Sequence, residues 1–185
     1  VPKNSEPQSQ VAMVWNDDFK WKPKDRQGFM MLMSILNIKC RESMREDQGG
    51  VYGVNISGTP SKEPKAEFTI TSTWGCNPEN IDKLAQTILD EMNKIKSEGP
   101  TETDLNKVKE TMIRERETRV KENSFWISYL QNHYIYGNKI LSLDEFTELV
   151  NSFTAQDIKK VAGKYLDTEN YVRVALTPKE GIKTQ

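Results

Sequence analysis

Arg45 and Tyr52 are the residues of this 185-residue chain whose types and spacing point most directly to chemistry. Between them lies Glu46-Asp47-Gln48-Gly49-Gly50-Val51, so a guanidinium and a phenol flank a diglycine. An arginine offers a planar, permanently charged fork of donors, and a tyrosine offers one hydroxyl on a rigid ring. Aimed together into a cleft, the two could grip the carbonyl oxygens of a peptide or stabilise the oxyanion that forms when an amide is attacked. Packing is the competing explanation. An arginine in the last turn of a helix is favourable in itself, and strict alternation puts Tyr52 in phase with apolar Val54 and Ile56.

The rest of the sequence offers less chemistry. His133 is the one histidine, so no two-histidine zinc motif can be assembled from this chain. A general base would need a nucleophile and an orienting carboxylate beside it, and a partly buried structural histidine is the expected role. Cys40 and Cys76 lack Cys-x-x-Cys spacing and are expected to be buried free thiols, not metal ligands. Arg114-Glu115-Arg116-Glu117-Thr118-Arg119 mixes both signs, as a solvated helix face does, with Glu115 and Arg119 placed to pair. Gly50-Val51-Tyr52-Gly53 matches an RNA-binding Gly-x-x-Gly loop, but such a loop sits between two helices and here a strand follows.

Periodicity supplies the elements that must position Arg45 and Tyr52. Gln10–Trp15 alternates and predicts a strand. The helix expected from Arg26 to Glu46, capped by Asp25, carries Phe29, Leu32, Met33, Leu36 and Cys40 on one face. Gly49-Gly50 ends it, and Val51–Ser57 and Lys65–Thr73 read as a hairpin. Pro78–Glu98 is a helix with Ile81, Leu84, Ala85, Ile88, Leu89, Met92 and Ile95 in one stripe, capped by Asn77 and ended by Gly99-Pro100. Thr101-x-x-Asp104 opens another through Lys121. Ser124–Tyr136 is aromatic-rich, Leu143–Val150 is short, and Thr154-x-x-Asp157 opens the last helix. Tyr171–Thr177 alternates Val172, Val174 and Leu176 as a final strand.

This order predicts an α+β, two-layer sandwich with a β-α-β-β-α core, about four mainly antiparallel strands, helices on one face and extra C-terminal helices. Residues 1–9 read as a linker, 10–178 as a single domain and 179–185 as a tail. With 26 basic and 27 acidic residues the net charge is −1, which argues against a nucleic-acid partner. No apolar run exceeds five residues, so membrane insertion is not expected. The chain does not begin with Met, which suggests a fragment of a longer polypeptide.

Arg45-Glu46-Asp47-Gln48-Gly49-Gly50-Val51-Tyr52 resembles the Arg-to-Tyr motif in the C-terminal domains of the insulinase/pitrilysin family of zinc metallopeptidases. Several further features are similar to that family: the lead Ser5–Gln10, Thr71-x-Thr73-Trp74, Gly99-Pro100-Thr101-Glu102, and Leu143-Asp144-Glu145-Phe146 before Thr154-Ala155-Gln156-Asp157-Ile158. The likeness runs from about Val1 to Pro178. In that family one α/β unit binds zinc through His-x-x-Glu-His, and the facing unit supplies the Arg and Tyr that hold substrate.

The resemblance therefore implies a substrate-binding domain that completes an active site, with Arg45 and Tyr52 as its substrate-binding residues and no catalytic or metal-binding residue of its own. Its partners would be a zinc-bearing catalytic domain or subunit and a peptide substrate, whose backbone could also pair with strand edges. The zinc would reside on the partner domain, and this chain alone is expected neither to bind it nor to cleave peptides. Exported bacterial relatives favour a periplasmic or envelope location. The alternative is a noncatalytic structural or assembly domain of the same fold.

Overall fold

The computed structural model describes residues 2–4, 8–46 and 51–178, leaving out the side chains of residues 2–4, Glu46 and Tyr52. A single mixed sheet has the order β1-β5-β2-β4-β3, formed by β1 (Pro2–Asn4), β5 (Val172–Pro178), β2 (Ser9–Asp18), β4 (Glu67–Cys76) and β3 (Tyr52–Ser61). Every pairing is antiparallel except that of β1 with β5. The expected α+β sandwich with four antiparallel strands is present. Pro2–Asn4, within the stretch read as a linker, adds a fifth short strand.

Helix α1 (Pro23–Glu46) carries the chain from β2 over β4 to β3, a split β-α-β unit. It begins at Pro23, three residues before the expected start, because proline suits the first helical position. Asp25 is therefore not its cap; it lies in the first turn and pairs with Lys164. Helices α2 (Ile81–Glu98) and α6 (Ala155–Tyr165) lie beside α1, and the three bury Phe29, Leu32, Leu36, Leu84, Ile88, Ile158 and Ala162 against Met13, Ile56, Ile70 and Trp74 of the sheet. Asn77 makes no side-chain cap, and a 3-10 turn at Pro78–Asn80 precedes α2. Phe19, Phe29, Phe68 and Tyr165 meet at one end of this core, with ring centroids 4.9 Å apart at Phe19–Tyr165 and 5.4 Å at Phe29–Phe68.

Helices α3 (Glu102–Arg119), α4 (Asn123–Tyr136) and α5 (Leu143–Asn151) form an outer group. Capping boxes open α5 at Ser142–Glu145 and α6 at Thr154–Asp157. Thr101 accepts from the Asp104 N–H at the start of α3. Only Phe125 of α4 is buried.

The final strand turns its apolar residues the other way. Val172, Val174 and Leu176 are exposed on the open face, while the alternate Arg173 and Ala175 pair with buried Met13 and Val11.

Candidate functional site

Asn37, Arg41 and Arg45 recur every fourth residue along α1, on one side of a helix whose opposite face is buried. The first two are tied to the outer edge of β3. The Ile56 N–H donates to Asn37 Oδ1 at 3.1 Å, and Arg41 Nε donates to the Val54 carbonyl at 3.1 Å. Each step of four helical residues rises about 6 Å, and each step of two strand residues spans about 6.6 Å. Helix and strand thus run antiparallel in matched steps. Beyond these two rungs the helix carries Arg45 in its last turn, and the strand begins at Tyr52.

The seam needs a close approach. A Cβ on Gly58 would lie 2.7 Å from Met33 Cγ and Phe29 Cε1, so only glycine lets α1 settle on β3 there. At the other end of the strand, Gly53 adopts φ +66°, and the register with β4 shifts between Tyr52, opposite Gly75, and Val54, opposite Trp74. This bulge interrupts the backbone alternation between Tyr52 and Val54.

Arg45 is exposed in the last turn of α1. The Tyr52 side chain and residues 47–50 of the motif lie outside the described residues. Arg41 and Asn37 had escaped sequence reasoning, although polar residues at four-residue spacing beside an apolar stripe were their signal. Their hydrogen bonds also change one expectation. Substrate pairing along β3 is obstructed at Val54 and Ile56, where α1 already caps the edge, and Pro60 has no N–H to offer.

The remaining sequence candidates resolve into structure. His133 Nδ1 donates to the Asn138 carbonyl at 2.8 Å, which pins the turn after α4. Cys40 and Cys76 are free, buried thiols, and burial raises both above the ordinary thiol value. Among the described residues no group of three or more His, Cys, Asp or Glu side chains could hold a metal, so the donors present do not fit a zinc site. No helix among them is long and apolar enough to cross a membrane.

The charged face of α3 is not uniformly solvated. Arg114 pairs with Glu110, 3.6 Å apart, but Arg116 turns inward between the rings of Phe125 and Tyr129, 4.4 Å from each centroid, and Phe146 at 5.0 Å. Mixed signs along a helix conceal such a residue, because periodicity treats all charges as outward.

A family model described as "Peptidase M16 inactive domain" matches residues 1–112. The zinc protease PQQL-like of Arabidopsis thaliana is 26% identical over 108 residues, covering 56% of this chain and 11% of that protein. Similar folds occur in the periplasmic protease PqqL from Escherichia coli, with TM-score 0.82, 20% identity, 97% of this chain and 20% of that one. A peptidase M16 inactive domain from Pseudomonas fluorescens superposes with TM-score 0.81 at 18% identity, over 99% of this chain and 44% of that one. This chain spans about a tenth of the curated relatives it matches.

Proposed function

The chain belongs to the peptidase M16 inactive-domain family, and on that premise we propose that it completes the substrate site of a zinc peptidase whose metal lies on a partner domain. Arg45 and Tyr52 are its substrate-binding residues in this reading. The observation that supports it is the α1–β3 seam: two hydrogen-bonded rungs, Asn37–Ile56 and Arg41–Val54, join the helix that carries Arg45 in its last turn to the strand that opens at Tyr52. Arg45 itself is exposed. An exposed guanidinium gains strength when a second module excludes water from around it and a peptide carbonyl supplies its acceptor.

This role asks little of the chain beyond position. Arg45 would orient the substrate and stabilise negative charge as it develops on the attacked carbonyl, with the Tyr52 hydroxyl as a second donor. In this reading the metal chemistry belongs to the partner; among the described residues no group of three or more His, Cys, Asp or Glu side chains could hold a zinc ion.

The test is Arg45→Ala in the complete peptidase. Loss of a donor to a developing oxyanion lowers kcat/KM by about 100-fold or more, with the melting temperature unchanged because the side chain is exposed. Unchanged kinetics would favour the assembly role. Chelator-sensitive proteolysis by this chain alone would contradict both.

A further inference from the structure

The first two turns of α1 border a cavity of about 430 Å³, closed on the far side by α3, α4 and the turn before α5. Along the helix axis it lies about 28 Å from Arg45, given a rise of about 1.5 Å per residue. Its volume falls within the range of about 300–1,000 Å³ typical of small-molecule sites. Three guanidinium groups line it, those of Arg26, Arg116 and Arg119. Among the described residues none of the three has a carboxylate partner. Arg26 is half-buried over the Trp21 ring, 5.6 Å from its centroid, and burial holds it below the ordinary arginine value.

Arg116 spends one amino group on the Leu141 carbonyl at 3.3 Å, while Leu141 N–H donates to the Tyr129 hydroxyl at 2.9 Å. These bonds, with that of His133, fix the turn that carries Asn138. Arg116 Nε and Asn138 Nδ2 are then buried with no acceptor. Leaving a buried donor unpaired costs about 1–3 kcal/mol, more beside a charge. The one carboxylate on the cavity wall, Glu115, is exposed, and nearby Glu145 is taken by Lys139 and the Ser142 N–H. The donors are therefore in excess, and aromatic and apolar side chains, among them Trp21, Phe125 and Phe146, share the walls with polar ones such as Gln27, Ser128 and Asn132.

We infer that this cavity binds a carboxylate carried on an apolar or aromatic body, its charge held by Arg26, Arg116 and Asn138 and its body by Trp21, Phe125 and Phe146. A carboxylate matches a guanidinium fork with two oxygens, and the aromatic share of the wall suits an apolar body behind it. The source could be the C-terminal residue of a peptide or a free aryl or alkyl acid. The inference stands apart from the role proposed for Arg45 and Tyr52.

Calorimetric titration of the full-length protein with N-acetyl-phenylalanine and with N-acetyl-phenylalaninamide separates the charge from the body. The acid is expected to bind at least about tenfold tighter than the amide, and Arg26→Gln and Asn138→Leu each to remove about tenfold of that affinity while melting normally. Comparison of Gly-Gly-Phe with 3-phenylpropionate identifies the source: tighter binding of the tripeptide marks a peptide terminus, and tighter binding of the small acid marks a free metabolite-type ligand. Equal binding of acid and amide, no binding of either, or affinity untouched by both variants would overturn the site and leave a water-filled cavity.

Discussion

The two ends of α1 each present arginines, but they are built on opposite plans. At the C-terminal end, Asn37 and Arg41 are consumed by the edge of β3, and Arg45 is left in solvent. At the N-terminal end, Arg26 is half-buried beside Arg116, over aromatic rings and without a carboxylate partner. On the proposed reading, the first end has a finished scaffold whose site a partner domain would complete. The second is a partly open cavity that holds buried donors without acceptors. Exposure alone is thus a poor guide to which arginine works on a ligand. What matters is whether the surrounding elements fix the group and what remains to neutralise it.

Three substitutions and one labelling experiment would break or sharpen this contrast. Gly58→Ala forces a methyl to within 2.7 Å of Met33 and Phe29, and overpacking of this kind destabilises by about 1–3 kcal/mol. A denaturant midpoint unchanged by it would mean that α1 is not pressed on β3 and that the seam is loose. Asn37→Ala strands the Ile56 N–H and should cost about 1 kcal/mol, while kcat/KM of the complete enzyme stays within about twofold. A large kinetic loss there would move the site away from Arg45.

Cys40 reports the same end without any mutation. Burial raises its thiol far above the ordinary value, so maleimide labelling near pH 8 should proceed only as fast as the core opens. Rapid labelling in the native protein would show that the C-terminal half of α1 is not seated. The smallest effect lies near the other end. Lys139 and the Ser142 N–H hold Glu145 below its usual value of 4.5. That stabilisation is complete above the usual value and disappears as pH falls through the lowered one. Glu145→Gln should therefore flatten the acid limb of a melting-temperature profile slightly and leave neutral pH nearly unchanged.

Much of the fold was legible because burial imposes a period on α1, α2, β2 and β4: Phe29–Cys40 and Phe68–Trp74 could face only one way. β5 was legible as a strand but not in phase, since Val172, Val174 and Leu176 are as apolar as any inward set and yet face outward. The start of α1 was misplaced because Asp25 is a good cap in isolation, while Pro23 and Lys164 decide the matter in three dimensions. Arg45 and Tyr52 stood out as a motif, whereas the bulge at Gly53, between Tyr52 and Val54, has no periodic signature. The cavity was invisible altogether, because Arg26, Arg116 and Asn138 come from three separate segments and converge only through tertiary packing.

A double-mutant cycle on Arg45→Ala and Tyr52→Phe in the complete peptidase tests the central claim directly. If both groups stabilise the same charge, each single change lowers kcat/KM by about 100-fold, and the double variant loses far less than the product of the two. Single changes without kinetic effect, or losses that multiply as for independent sites, would contradict the account.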